Sequence, residues 1–239
     1  MLPVFEICEG MTLHSYPFFL GISVAYLVSS FLRINKKQSV VPNRLESLFI
    51  IFLLISLAFL GAKFTFIVSS KKVINLSNGF WLGGGLVFYG GYIFALSGIY
   101  LYSLIRGIKT TLLVSFLPTV IFAHAIGRVG CFFAGCCHGR YCPLAFLERW
   151  PTQLFEVTFL LILGFRLKKR IEQNKKNNFY IYVLAYSIFR FLNEFLRGDE
   201  IRGIWYLGMS TSQIVSLVLF VSFGLAYLKE TFSTNSSDT

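Results

Sequence analysis

The chain has 239 residues, is 55% apolar and carries only 14% charged residues, with a mean hydropathy of +0.67. Soluble domains carry about 25% charged residues, so the composition excludes a soluble globular domain and predicts a polytopic membrane protein. The formal net charge of +11 would suggest nucleic acid as the partner of a soluble chain. Here the basic residues fall in short loops between apolar segments, where they set topology. We therefore predict membrane lipid as a partner, and no nucleic acid.

Seven apolar segments follow one another along the chain, each long enough, or nearly so, to cross about 30 Å of hydrocarbon. They are Tyr16–Leu32, Leu48–Val68, Trp81–Ile105, Leu112–Ile126, Leu154–Leu167, Phe179–Phe195 and Leu207–Leu228. The predicted fold is all-α, with seven transmembrane helices in a single domain over residues 1–230. A disordered cytoplasmic tail is predicted over residues 231–239. The fourth and fifth segments are short, which indicates that the chain between them re-enters the membrane beside a cavity.

Orientation is predicted from the basic residues of alternate loops. The loops 33–44, 106–109 and 166–176, together with Lys229, hold 13 of the 22 lysines and arginines. Loops rich in lysine and arginine stay in the cytoplasm. The N-terminus is therefore expected outside and the C-terminus in the cytoplasm. The polar cavity between segments four and five then opens outward.

The stretch from Gly127 to Arg140 holds the densest group of unusual residues. It reads Gly-Arg-Val-Gly-Cys-Phe-Phe-Ala-Gly-Cys-Cys-His-Gly-Arg. Its four glycines permit positive φ or close approach of the backbone to a ligand. Its two arginines keep their charge at any biological pH and bind phosphate oxygens in pairs. This composition predicts a phosphate-binding site beside the membrane helices.

Charged and polar residues inside the other apolar segments point to the same site. Arg190 and Glu194 stand four residues apart on one helical face. Ionisable residues within membrane helices indicate functional sites, although a purely structural ion pair between helices stays open. The glycines around Tyr89 suit either helix packing or ligand contact. His124 is interpreted as a satisfied polar group at a helix interface.

Several motifs in register resemble the prolipoprotein diacylglyceryl transferase family. They are the glycine-rich runs at 84–91 and 127–140, Pro-Thr-Gln-Leu-Phe-Glu at 151–156, the Tyr-to-Arg run at 186–197, and Met-Ser-x-x-Gln at 209–213. The resemblance implies a seven-helix enzyme of the bacterial inner membrane that acts in lipoprotein biosynthesis. It would move diacylglyceryl from phosphatidylglycerol to the thiol of a lipobox cysteine and release glycerol phosphate. Neither a metal nor another cofactor is expected.

The resemblance also implies the residues of the site. Arg128 and Arg190 match the family's arginines and would hold the phosphate, with Glu194 orienting Arg190. The expected catalytic residues are Tyr16, Tyr89, Arg128, His138, Arg190 and Glu194. The expected substrate-binding residues are Gly130, Cys131, Gly135, Cys136, Gly139, Arg140, Gln153, Glu156 and Arg197.

Three departures mark the chain as a divergent member. Cys131 stands where the family usually has asparagine, Cys136 where it has glutamate, and Tyr89 where it has histidine. A phenol with an ordinary pKa of about 10 is a poor base at neutral pH. His138 lies within the glycine-rich run and is the expected replacement base.

The cysteines keep alternative functions open. Zinc could be held by a set of thiols and one imidazole, namely Cys131, Cys136, Cys137, His138 and Cys142. Cys136, Cys137 and Cys142 could instead form outward-facing disulfides, or the cysteines could simply pack. Their spacing is not a paired C-x₂-C pattern, so the metal signal in the sequence is weak. A third alternative is a noncatalytic phospholipid-binding relative that kept the phosphate pocket.

Overall fold

The computed structural model describes residues 4–8, 11–38, 43–69, 88–107, 114–142, 148–175, 177–198 and 208–237. Within these ranges the chain forms one β-hairpin and seven helices. The strands are β1 (Val4–Cys8) and β2 (Met11–His14). The helices are α1 (Ser15–Gln38), α2 (Arg44–Ser69), α3 (Phe88–Arg106), α4 (Leu117–Ala134), α5 (Thr152–Glu172), α6 (Asn178–Leu196) and α7 (Thr211–Ser237). The predicted helical fold is confirmed, with the N-terminal hairpin as an unpredicted addition.

Four of the seven described helices are long and apolar enough to cross a membrane. These stretches are Ser15–Lys37, Leu45–Val68, Leu117–Ala134 and Thr211–Phe232. They identify a multi-pass membrane protein. Helix α5 carries Glu156 and several basic residues in its last turns, and α6 carries Arg190 and Glu194, which lowers the hydropathy of both helices. Seven spans therefore stay a prediction.

The chain divides into two compact units, residues 32–113 and residues 1–31 with 114–239. In the first, α2 and α3 run antiparallel. The start of α2 meets the end of α3 where Arg106 Nη2 lies 2.7 Å from Glu46 Oε1. Further along, a Cβ on Gly61 would lie 2.5 Å from the Gly90 carbonyl oxygen, and one on Gly91 would lie 2.7 Å from that of Ala58. The described glycines of this pair therefore serve close helix packing.

The second unit, here called the site unit, packs the first part of α1 with α4, α5, α6 and α7. Helices α1 and α4 are antiparallel, because the Phe19 and Phe133 rings stack 5.2 Å apart while Ser23 Oγ donates to the Ala123 carbonyl oxygen at 2.7 Å. Helices α5 and α6 are joined by the stacked rings of Phe159 and Phe189, 4.2 Å apart. This packing brings the starts of α1, α5 and α7 to the same end as the finishes of α4 and α6.

The glycine-rich stretch differs from its sequence prediction. Gly127 to Ala134 continue helix α4 instead of leaving it. The helix ends at Gly135, whose φ of 72° is left-handed and suits glycine. Irregular chain follows, held by antiparallel bridges between Gly139 and Arg197 and between Tyr141 and Arg149. Near the C-terminus, α7 runs to Ser237, and the disordered tail over residues 231–239 stays a prediction.

Candidate active site

One carboxylate oxygen forms the centre of the buried polar group in the site unit. Glu156 Oε1, near the start of α5, lies 3.0 Å from Arg128 Nε. The same oxygen accepts a hydrogen bond from Tyr186 Oη at 2.7 Å and lies 3.5 Å from His124 Nε2. Glu156 is only 2% exposed. A carboxylate so buried is stable only with charged and hydrogen-bonding partners, and these three side chains supply them.

A second buried carboxylate holds the arginines of α6. Glu194 Oε2 lies 2.9 Å from Arg190 Nη1 and 3.3 Å from Arg197 Nη1. Arg190 Nη2 also donates to Ser212 Oγ on α7 at 3.1 Å. Arg190 contributes to the electrostatic field at Glu156 as well. The two carboxylates therefore hold three buried arginines at this end of the bundle, Arg128, Arg190 and Arg197.

Arg128 is oriented in a way that suits an external anion. Its Nε faces Glu156, and among the described residues no hydrogen bond or ion pair involves its two terminal nitrogens. Guanidinium groups bind phosphate through paired N–H donors. Because Nε is held by the Glu156 carboxylate, the two terminal nitrogens of Arg128 are the donors that remain for a phosphate.

The helix cap at Gly135 brings two cysteines together. The Gly135 amide donates to the Phe132 carbonyl oxygen, and the Cys136 amide donates to that of Cys131, each at 3.2 Å. These two bonds define a Schellman cap, in which the side chains of the residues here occupied by Cys131 and Cys136 commonly touch. Local backbone geometry therefore makes their thiols neighbours.

A third cysteine joins them through an unusual backbone conformation. Cys137 has a φ of 59°, a left-handed value that is uncommon outside glycine. Helix α5 supports this turn, because Thr152 Oγ1 donates to the Cys137 carbonyl oxygen at 2.8 Å and Gln153 Nε2 donates to that of Cys136 at 2.6 Å. The sulfur atoms of Cys131, Cys136 and Cys137 consequently lie within 4.8 Å of one another. We call these three residues the thiol cluster.

The thiol cluster lies beside the buried cations. Hydrogen bonds from the Cys131 and Cys136 thiols lower the pKa of the Cys137 thiol from its ordinary value. Burial opposes this shift, and the positive charges of Arg128 and Arg197 add to it. Tyr16, at the start of α1, interacts electrostatically with Arg128 and with all three cysteines. Tyr16, Arg128 and the thiols therefore lie at the same end of the site unit.

Three other residues that were predicted to bind substrate, Gly130, Gly139 and Arg140, make packing or backbone contacts. A Cβ on Gly130 would lie 2.7 Å from Phe19 Cβ, and one on Gly139 would lie 2.5 Å from Trp150 Cβ, so both glycines serve packing. Arg140 is exposed and donates from Nε to the Arg197 carbonyl oxygen at 3.2 Å.

His138, the predicted base, is not among the described groups in contact with Arg128. His138 lies against Arg149, whose Nη1 is 2.8 Å from the imidazole Nδ1. The side chain of Tyr89 lies outside the described residues, although its backbone is in α3. The imidazole in contact with the buried group is instead that of His124, which sequence reasoning had interpreted as an interface residue. His124 lies four residues before Arg128, and residues with this spacing share a helix face. That spacing was the sequence signal that could have placed His124 beside Arg128.

Comparison with known proteins decides the family. The family model described as prolipoprotein diacylglyceryl transferase matches residues 3–228. The chain belongs to the prolipoprotein diacylglyceryl transferase family. The phosphatidylglycerol–prolipoprotein diacylglyceryl transferase 2 of Clostridium perfringens is 28% identical over 237 residues, covering 91% of each chain. The corresponding enzyme of Clostridium tetani is 28% identical over 242 residues, covering 92% of this chain and 94% of its own. That of Clostridium novyi is 31% identical over 176 residues, covering 64% of this chain and 66% of its own.

Proposed function

We propose that this protein transfers diacylglyceryl from phosphatidylglycerol to the thiol of a lipobox cysteine in a prolipoprotein. The observation that carries the proposal is the pair of buried arginines, Arg128 and Arg190, each held by its own carboxylate at one end of the site unit. Buried cations at a helix-bundle end suit a phospholipid headgroup whose acyl chains remain in the bilayer. The family of this chain and the names of its relatives support phosphatidylglycerol and prolipoprotein as the substrates.

The reaction requires positive charge where the leaving group forms. The acceptor sulfur attacks the glyceryl carbon that bears the phosphate, forming an S–C bond as the C–O bond breaks. The electron pair of that bond passes to the phosphate oxygen, so a monoanionic diester becomes a dianionic glycerol phosphate. Donors fixed before the reaction stabilise such charge at little reorganisation cost. The terminal nitrogens of Arg128, oriented by Glu156, suit this role.

The membrane topology is part of the proposal. We infer seven spans, an external N-terminus and a cytoplasmic C-terminus in a bacterial inner membrane. Within the site unit, the far end of α5 from the thiol cluster carries the exposed basic residues Arg166, Lys168 and Lys169. Basic residues favour the cytoplasmic side, so the candidate site would face outward, where prolipoprotein signal peptides present their cysteine.

Complementation of a conditional transferase-depleted bacterium tests the function. Expression of this chain is expected to restore growth and the mass increase of a reporter lipoprotein. With purified protein, labelled phosphatidylglycerol and a lipobox peptide should give a labelled peptide and glycerol phosphate. Binding of phosphatidylglycerol without either product would favour the noncatalytic relative instead.

A further inference from the structure

The thiol cluster provides three sulfur ligands directed at one point. We propose that Cys131, Cys136 and Cys137 bind one Zn²⁺ ion whose fourth coordination position receives the acceptor thiol. Binding of the ion depends only on the cluster itself. The role given to the fourth position rests on the proposed transferase function. In that role, the zinc ion activates the acceptor thiol.

The spacing of the sulfur atoms is close to that of a zinc site. Zinc–sulfur bonds of about 2.3 Å in a tetrahedron place the sulfurs about 3.8 Å apart. The three sulfurs already lie within 4.8 Å of one another. Small side-chain rotations that move the sulfur atoms by about 1 Å would therefore bring them to the spacing of a zinc site. Neither the Gly135 cap nor the turn at Cys137 has to change.

The backbone of the thiol cluster is held by hydrogen bonds, and two of these are donated by side chains of helix α5. Gln153 and Thr152 bind the carbonyl oxygens of Cys136 and Cys137. Mutation of side chains that orient the ligands of a metal site typically lowers metal affinity by about 10–100-fold. The supported left-handed φ of Cys137 is the kind of strain that accumulates at functional sites.

The fourth position is left for an external ligand. Among the described residues no further histidine, carboxylate or cysteine joins the group of three, so His138 and Cys142 stand apart from it. Cys131 is buried whereas Cys136 is exposed, which leaves the group accessible from the Cys136 side. Three protein ligands with one open position characterise catalytic zinc sites, whereas structural sites are closed by four.

Zinc supplies what the acceptor cysteine needs. A thiol bound to zinc loses its proton, here to solvent, and remains nucleophilic as the bound thiolate. Its sulfur then forms the bond to the glyceryl carbon, and the phosphate leaves with the electron pair of the broken C–O bond. No atom is oxidised or reduced. The product is a neutral thioether, a weaker zinc ligand than thiolate, so it leaves the ion.

The charges around the cluster suit this cycle. Zinc with three thiolates carries −1, and the bound acceptor thiolate makes it −2. Arg128 and Arg197 both act on the Cys137 sulfur, and the positive charge of these side chains offsets the negative site. Arg128 also lies where the phosphate dianion would develop, so attacking sulfur and leaving group would meet within one positive field.

Metal analysis of the purified full-length protein tests the site directly. In detergent with a reductant, without a polyhistidine tag, we expect about one zinc per chain. Cys136→Ser is expected to lower the zinc content at least tenfold without unfolding, because the Cys136 side chain is exposed. Cys142→Ser is the matched control, and it should keep the zinc. Less than about 0.1 zinc per chain after zinc loading, or copper in place of zinc, overturns the proposal.

Cobalt substitution tests the open position. Co²⁺ in the site should give a thiolate-to-metal charge-transfer band, absent in Cys136→Ser, and d–d bands of a tetrahedral ion. A lipobox peptide should alter the d–d bands, and the same peptide with serine in place of cysteine should not. Unchanged spectra with the cysteine peptide, or three thiols that react with a maleimide as fast in zinc-loaded as in metal-free protein, overturn it. A disulfide between any two cluster cysteines in the reduced preparation also overturns it.

Activity separates this inference from the proposed function. If zinc-loaded protein transfers diacylglyceryl, zinc removal should abolish transfer and zinc addition should restore it. Transfer that is unaffected by complete zinc removal supports the function and overturns the role given to the zinc ion in activating the acceptor thiol. Zinc binding with the peptide-dependent cobalt spectrum, but with no transfer from phosphatidylglycerol, supports the site and overturns the proposed function.

Discussion

Glu156 Oε1 and Arg128 Nε lie 3.0 Å apart, and the same oxygen accepts the Tyr186 hydroxyl hydrogen bond at 2.7 Å. A single oxygen thus joins α5 to both α4 and α6. The guanidinium cannot rotate freely while its Nε faces this oxygen, so its terminal nitrogens keep one direction. The family resemblance predicts that Glu156 binds substrate, and from this geometry we predict that it does so by positioning Arg128.

Arg128 should be essential for transfer, and lysine should not replace it. A lysine ammonium cannot keep a contact with Glu156 while presenting two parallel donors to phosphate. Loss of a donor at a developing charge typically lowers the rate by about 10²–10³. Arg128→Ala and Arg128→Lys should both show at least that loss in kcat, measured with labelled phosphatidylglycerol and a lipobox peptide. The exposed Lys168→Ala variant is the control, and full activity of Arg128→Lys would refute the assigned role.

Removal of the Glu156 carboxylate should destabilise the site unit more than removal of one of its hydrogen bonds. Glu156→Ala leaves buried Arg128 without its partner, and such losses cost about 3–5 kcal/mol. Tyr186→Phe removes one hydrogen bond and should cost about 0.5–1.5 kcal/mol. Unfolding in detergent, followed by intrinsic fluorescence, measures both. Glu148, an exposed carboxylate, provides the control Glu148→Ala, and equal stability of all three variants would argue against the buried ion pair.

Gly130 should be required for packing, and Gly127 should not. A Cβ on Gly130 would lie 2.7 Å from Phe19 Cβ, whereas one on Gly127 would meet nothing within 4 Å. Both glycines lie inside α4, where alanine is favoured over glycine by about 1 kcal/mol. Gly127→Ala should therefore raise the melting temperature slightly, while Gly130→Ala lowers it and reduces expression. A stable Gly130→Ala protein that has lost only phosphatidylglycerol affinity would instead restore the substrate-contact interpretation.

The helices could be predicted from the sequence because apolar length determines them, but the end of α4 could not. Four glycines in fourteen residues suggested irregular chain from Gly127 onward. In the structure Gly130 stays helical, since its missing side chain admits Phe19 of α1. Of the four glycines in this stretch, Gly135 alone takes a left-handed conformation, and it stops the helix. The difference depends on a contact more than a hundred residues away in sequence, which local pattern cannot reveal.

The charged part of the site was more accessible to sequence reasoning than the thiol cluster. Arg190 and Glu194 are four residues apart in one helix, so their ion pair follows from helical periodicity. The approach of Cys137 to Cys131 depends on a left-handed residue that is not glycine, together with side-chain support from α5. No spacing rule encodes that combination, which explains why the linear pattern gave a weak metal signal.

Two histidines of the site unit, His124 and His138, offer a test of which imidazole matters. His124 is buried 3.5 Å from Glu156 Oε1, whereas His138 is paired with Arg149 in the irregular chain after α4. His124→Ala removes one contact from the carboxylate that positions Arg128. If the misplaced guanidinium stabilises the transition state by about 1.4 kcal/mol less, the rate falls tenfold. We therefore expect kcat to fall at least about tenfold in His124→Ala, with a smaller change in KM, because the contact acts through Arg128. His138→Ala should retain most of its activity. If His138→Ala instead abolishes transfer while His124→Ala does not, the base predicted from the glycine-rich run is the correct one and the Glu156-centred arrangement is structural.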